Sequence, residues 1–238
     1  ERRDNWSFYI MKIDIRDVTC RWINLDSDDK NAEEMETQFK ELGFKNQRRF
    51  SARTVEPPKE TPQNIRHHVG CAQSHIDILE NKENDSPLLI LEDDVVATSW
   101  YKDIIEIPDD TDAVYLGISQ GNKNYFAQDV SEPDGEWLAR IEGVYSTHAI
   151  LYLTEKYRQA TIDIAKEYAY NRNIPFDVGC SEIQKSFKVL TPHLPFFAQS
   201  DDRRSESKWG TMTLQPLQMM TFGQGPLGPG YGNGPQGV

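Results

Sequence analysis

Apolar positions along this chain alternate between short continuous runs and stripes at helical spacing. Residues 19–25, Thr-Cys-Arg-Trp-Ile-Asn-Leu, read as a buried strand. Asp26-Ser27-Asp28-Asp29 follows as a turn and helix cap, offering side-chain oxygens to the amides that a first helical turn leaves unpaired. Ala32, Met35, Phe39 and Leu42 then recur at near-helical spacing, and Gly43 supplies the stop. Residues 44–52 return as a strand, which completes a parallel βαβ unit of about 35 residues. Pro57, Pro58 and Pro62 mark a loop. A second helix is expected over roughly 67–82, with Ala72, His75, Ile76 and Leu79 on one stripe. Further strands are expected at 112–117, 147–153 and about 187–191. Between them come a long helix over roughly 155–170 and a short one after Pro175. Residues 118–146 read as loop.

The most informative stretch is 87–96, Pro-Leu-Leu-Ile-Leu-Glu-Asp-Asp-Val-Val. Leu88 to Leu91 form a run suited to a strand buried on both faces, and it ends in three acids. Clustered carboxylates there are costly unless a cation neutralises them, and hard ions such as Mn²⁺ or Mg²⁺ prefer oxygen ligands. If the segment stays extended, alternation puts Glu92 and Asp94 on one side and Asp93 on the other. Glu92 and Asp94 are then the candidate metal ligands, at the strand end where open α/β sheets bind ligands. A solvated acidic turn is the plain alternative. A haloacid-dehalogenase-type phosphatase fits less well, because Asp94-Val95-Val96-Ala97 lacks the Asp-x-Asp pattern followed by a small hydroxyl residue.

Charge narrows the classes. The formal net charge of −12, from 38 acids against 26 bases, argues against a nucleic-acid partner. Cys20, Cys71 and Cys180 are widely spaced and form no Cys-x-x-Cys pair, so neither a zinc site nor a disulfide framework is expected. No apolar run approaches the roughly 20 residues of a transmembrane helix, and a cytoplasmic location is expected. From Gly210 onward eight glycines and four prolines preclude a core, so 210–238 read as a flexible tail or a lid. Residues 1–18 read as an N-terminal extension and 19–209 as the working domain.

The order of several segments resembles glycosyltransferase family 25, the lipooligosaccharide and collagen β-galactosyltransferases. Trp22-Ile-Asn-Leu-Asp26, Arg49-Phe-Ser-Ala52, Gly70-Cys-Ala-Gln-Ser-His-Ile76 and Leu91-Glu-Asp-Asp-Val95 match its pattern in sequence and spacing. Val114-Tyr-Leu-Gly117, Thr147 to Leu153, Ile174-Pro-Phe-Asp177, Thr191-Pro-His193 and Ser200-Asp201 continue the resemblance. It implies a single GT-A type α/β domain with a mixed, mostly parallel central sheet flanked by helices. It also implies a metal ion and inverting hexose transfer from a UDP-sugar to a glycan or other glycoconjugate hydroxyl. On that reading His193 completes the metal set with Glu92 and Asp94. Asp177, which otherwise reads as a helix cap, becomes the base for the acceptor hydroxyl, with Asp201 as second choice. Asn24, Asp26, Arg53 and Asp93 become donor contacts, Asn24 and Asp26 for uracil and ribose. His75 lies on the apolar stripe of its helix and is expected to pack in the core. Tyr125, Phe126 and Trp137 either stack on a sugar ring or simply pack. The family's basic pair after Asn-Leu-Asp is replaced here by Ser27-Asp28-Asp29-Lys30. A non-catalytic glycan-binding or scaffold module and a metal-dependent phosphatase remain alternatives.

Overall fold

The computed structural model describes residues 9–62, 66–118, 120–130 and 138–200. Asp201, Trp137, the side chain of Tyr125 and the Gly/Pro-rich segment 210–238 lie outside the described residues.

Strands β1 (Ile10–Asp14) and β2 (Thr19–Asn24) lead into helix α1 (Asp29–Leu42) and strand β3 (Gln47–Ser51). Helix α2 (His68–Glu80) precedes β4 (Leu88–Glu92), β5 (Val95–Ala97), β6 (Ile104–Pro108) and β7 (Ala113–Tyr115). The long strands β8 (Gln120–Asp129) and β9 (Leu138–Tyr145) follow, then β10 (Ala149–Tyr152) and helix α3 (Glu155–Lys166), which runs on into a π-helical turn, Glu167–Arg172. Helix α4 (Phe176–Ile183), a 3₁₀ turn (Gln184–Ser186), β11 (Val189–Pro192) and β12 (Phe197–Gln199) complete the described chain.

Local chemistry sets the boundaries. Asp28 caps α1 by accepting from the Asn31 amide at 3.1 Å, and Gly43 ends it at φ 76°, a left-handed conformation that glycine adopts without Cβ strain. Thr154 caps α3 through the Tyr157 amide, and Asn173 at φ 55° ends the π-helical turn.

Eight strands form one sheet in the order β3-β2-β4-β10-β7-β11-β9-β8. Pairing is parallel across β3-β2-β4 and β7-β11 and antiparallel elsewhere, because β9 and β10 run against the other six. The sheet is therefore mixed and flanked by helices, with more antiparallel contacts than a mostly parallel sheet would have. β1 pairs with β6 and β5 with β12 as two small antiparallel ladders. At one end of the sheet, β3 presents Arg48 and Arg49 to solvent.

The core lies on both faces of the sheet. Leu88 and Ile90 pack with Ile76 and Leu79 of α2, Tyr157 of α3 and Phe176 of α4. Leu89 and Leu91 point the other way, to Met35 and Phe39 of α1. The double-sided burial expected of Leu88–Leu91 is present, each of the four being fully buried.

Two expectations are corrected. Ile13, Ile15 and Val18 are buried in the second core, so packing of the domain starts before residue 19. Much of 118–146 is not loop: β9 alternates buried and half-buried positions, and Leu138, Ala139, Ile141 and Val144 enter the interior. Among the described residues no helix is long and apolar enough to cross a membrane.

Candidate active site

Strand directions bring the carboxyl ends of β2, β3, β4, β7 and β11 to one edge of the sheet, where β10 begins. Glu92 is the last residue of β4, and its amide donates to the His148 carbonyl just ahead of β10 at 2.9 Å. The chain then turns at Asp93-Asp94 and leaves along β5.

That turn overturns the extended arrangement in which Glu92 and Asp94 share a side, and each half-buried carboxylate meets a different neighbour. Glu92 Oε1 accepts from Thr147 Oγ1 at 2.9 Å, faces His75 Nε2 at 3.2 Å and takes the Cys71 thiol at 4.0 Å. Asp93 Oδ2 accepts from Asn24 Nδ2 at 2.6 Å. Asp94 Oδ2 accepts from Gln199 Nε2 at 3.0 Å, and its carbonyl takes the Ser200 amide at 2.7 Å.

Helix α2 supplies the floor of this site. A Cβ on Gly70 would stand 2.3 Å from the Arg53 carbonyl oxygen, so only glycine lets the helix approach the chain after β3 this closely. Ser74 pins the same contact, its hydroxyl donating to the Gly70 carbonyl and accepting from the Arg53 amide, both at 2.8 Å. His75 is fully buried, with its ring 4.9 Å from that of Phe176. On the far side of Glu92, Gly117 leaves room for His148: a Cβ there would meet His148 Nε2 at 2.4 Å and the Phe197 carbonyl oxygen at 2.5 Å.

The acids have unlike environments. Burial pushes the Glu92 carboxyl up, but the His75 hydrogen bond, the charges of His75 and His148 and the Thr147 hydroxyl outweigh it, holding Glu92 below its ordinary range. Asp93 is pushed up, chiefly by burial and further by the Glu92 and Asp28 charges, against the Asn24 hydrogen bond. Asp177 sits in the first turn of α4, its Oδ1 accepting from the Val178 amide at 2.8 Å. Burial first, and then the Glu92 charge, push its carboxyl up to about 6. Burial and the charges of Glu92, Asp177, Asp94 and Asp93 push the Cys71 thiol far up, so it is not a ready nucleophile.

Of the residues singled out from sequence, the structure brings Asn24, Glu92, Asp93, Asp94 and Asp177 to this end of the sheet. Asn24 is buried there. Asp26 is exposed and accepts from Ser51 Oγ at 2.9 Å and Arg49 Nη2 at 3.4 Å, away from the acids. Arg53 is committed to α2, with Nε 2.5 Å from Asp77 Oδ2 and its guanidinium over Phe50. Lys30 is exposed and pairs with Glu34. His193 is buried just past β11, but it does not join Glu92 and Asp94 in a close donor set. Among the described residues, the one group of three His, Cys, Asp or Glu side chains with ligand atoms all within 4.8 Å is Cys71, His75 and Glu92. Sequence reasoning placed His75 in the core and treated Cys71 as inert. Their four-residue separation on one helix was the available signal that they share a face. Thr147, His148 and Gln199 were missed as partners of the acids, and nothing local in the sequence marks them.

The acids also act on one another: the Glu92 charge helps to raise both Asp93 and Asp177. Taken together, fold and site define a mixed α/β protein with a partly buried group of carboxylates at its strand ends. No protein-family model matches the chain, and no curated protein matches it.

Proposed function

We propose that this protein is a metal-dependent inverting glycosyltransferase that moves a hexose from a UDP-sugar to a hydroxyl of a glycan or glycoconjugate. One observation carries the reading: Glu92, Asp93, Asp94 and Asp177 gather at the carboxyl ends of the central strands, where burial raises Asp177 to about 6 while Glu92 is held low. Two carboxyls with pKa values driven apart by their surroundings are what paired charge stabilisation and proton abstraction require. The ordered resemblance to glycosyltransferase family 25 supports the same reaction class.

Asp93 and Asp94 would hold Mn²⁺ or Mg²⁺, which when bound supplies positive charge to the departing diphosphate. Asn24 orients Asp93 and stands at the end of β2, a position suited to the donor nucleoside. Asp177 takes the proton from the acceptor hydroxyl as the new glycosidic bond forms on the face opposite the departing group. Its elevated pKa keeps it strong enough as a base while leaving it ionised at neutral pH.

Calorimetry with UDP in the presence and absence of Mn²⁺ tests the first half of this reading. Metal-dependent UDP binding is expected, and no binding in Mn²⁺ would overturn it. A panel of UDP-sugars assayed for metal-dependent turnover then identifies the donor. Asp177→Asn should retain UDP binding and lose transfer by roughly 100-fold or more, the range of a general base. Retained transfer would remove Asp177 from the mechanism.

A further inference from the structure

We infer that Cys71, His75 and Glu92 form a site for a transition metal ion of the zinc type, distinct from the oxygen set of Asp93 and Asp94. The inference does not rest on the proposed glycosyltransferase activity.

The geometry is close to what such an ion needs. Cys71 and His75 are one turn apart on α2, and Glu92 meets them from the end of β4. Zinc bonds of about 2.0–2.3 Å at tetrahedral angles separate neighbouring donor atoms by about 3.4–3.6 Å. Here His75 Nε2 and Glu92 Oε1 are 3.2 Å apart and Cys71 Sγ and Glu92 Oε1 4.0 Å, with all donor atoms within 4.8 Å. Side-chain adjustments of up to about an ångström convert one arrangement into the other.

Donor chemistry selects the ion. One sulfur, one imidazole nitrogen and one carboxylate oxygen match zinc, cobalt and their neighbours, whereas Mg²⁺ and Ca²⁺ take oxygen alone. Three protein donors leave a fourth position for water or a substrate atom. The frame is rigid, because Gly70 and Ser74 lock α2 to the chain at Arg53 and Phe176 backs the His75 ring. The site is also reachable: His75 is buried, while Cys71 and Glu92 are both partly exposed.

The test is a titration of the intact chain with Co²⁺, without nucleotide. Expected are a thiolate-to-cobalt charge-transfer band that saturates at one equivalent per chain, and loss of that band on adding Zn²⁺ but not equimolar Mg²⁺. Cys71→Ser should abolish the band, and His75→Ala should weaken cobalt binding by roughly tenfold or more. Cys20→Ser and Cys180→Ser should retain it. Absence of a thiolate band in the wild-type chain, or its survival in Cys71→Ser, overturns the inference. Should Cys71→Ser fail to fold, the double variant Cys20→Ser plus Cys180→Ser decides the matter, since Cys71 is then the one thiol left: the band must persist in it, and loss of the band overturns the inference. UDP binding in Mn²⁺ is a separate readout, so the two proposals can fail independently.

Discussion

Asp177 is kept where its own ionisation is unfavourable. Its carboxyl titrates at about 6 in the fold, against 3.8 for the free side chain. Below the lower value the acid is protonated in both folded and unfolded chains and costs nothing. Between about pH 3.8 and 6 the unfolded chain gives up this proton while the folded one keeps it, so stability falls across that window by about 2 kcal/mol, once partial exposure is allowed for, and levels off above it. Asp177→Asn in chelator-treated protein should therefore raise Tm by a few degrees at pH 8 and much less at pH 4, near the lower value. Thermal melts at the two pH values check this, and equal shifts at both would mean the gain is not electrostatic. Glu92 has the opposite sign, because its partners hold it low and its contribution is lost as pH falls. Replacing it by Ala strands the Thr147 hydroxyl and His75 Nε2 and should cost about 2–3 kcal/mol at pH 7, measured by denaturant unfolding. A cost near zero would show that water takes over both bonds.

Two elements fix where α2 lies, and through it Cys71 and His75. Gly70 is one: Gly70→Ala would force a methyl against the Arg53 carbonyl, with backbone on both sides. It should destabilise the fold by about 1–3 kcal/mol and weaken cobalt binding as the helix shifts. Unchanged unfolding midpoints would refute the close approach. The other is Arg158 on α3, buried, which donates to the carbonyls of Leu79 and Asn84 at 2.9 Å each and pairs with Glu155 at 2.8 Å. It ties the end of α2 to the approach of β4. Arg158→Ala leaves both carbonyls unsatisfied and should lower stability by about 2–4 kcal/mol in urea titration.

At this scale the limits of the sequence are physical. β4 was legible because four consecutive apolar residues ending in acids permit few other placements. α1 was legible from its stripe and Gly43. β9 was not: Arg140 and Glu142 share it with apolar residues, and its strand character depends on pairing with β8 and β11. The acids were legible as a group but not in their orientation, which depends on a two-residue turn at Asp93-Asp94. Asn24 meets Asp93 across 69 positions, and Thr147 meets Glu92 across 55. Such partners are set by strand order, above all by β10 entering the sheet from the acidic edge, and no local pattern encodes that order.

Across the whole molecule the charge of −12 sets how anions arrive. Repulsion of a nucleotide diphosphate extends over about 10 Å at 0.1 M salt and is screened as salt rises. Stopped-flow association of a fluorescent UDP analogue in Mn²⁺ should accordingly speed up between low and moderate ionic strength. A steep slowing would point to a basic entry path instead. The terminal strand β3 acts at the same scale, because among the described residues no strand pairs with its outer rim and Arg48 and Arg49 stand exposed along it. A second copy aligning there would press guanidinium groups against guanidinium groups, an arrangement that discourages ribbon-like stacking of one sheet onto the next. The few cations of an acidic protein are thus spent partly on keeping its molecules apart where backbone amides and carbonyls would otherwise invite them to join.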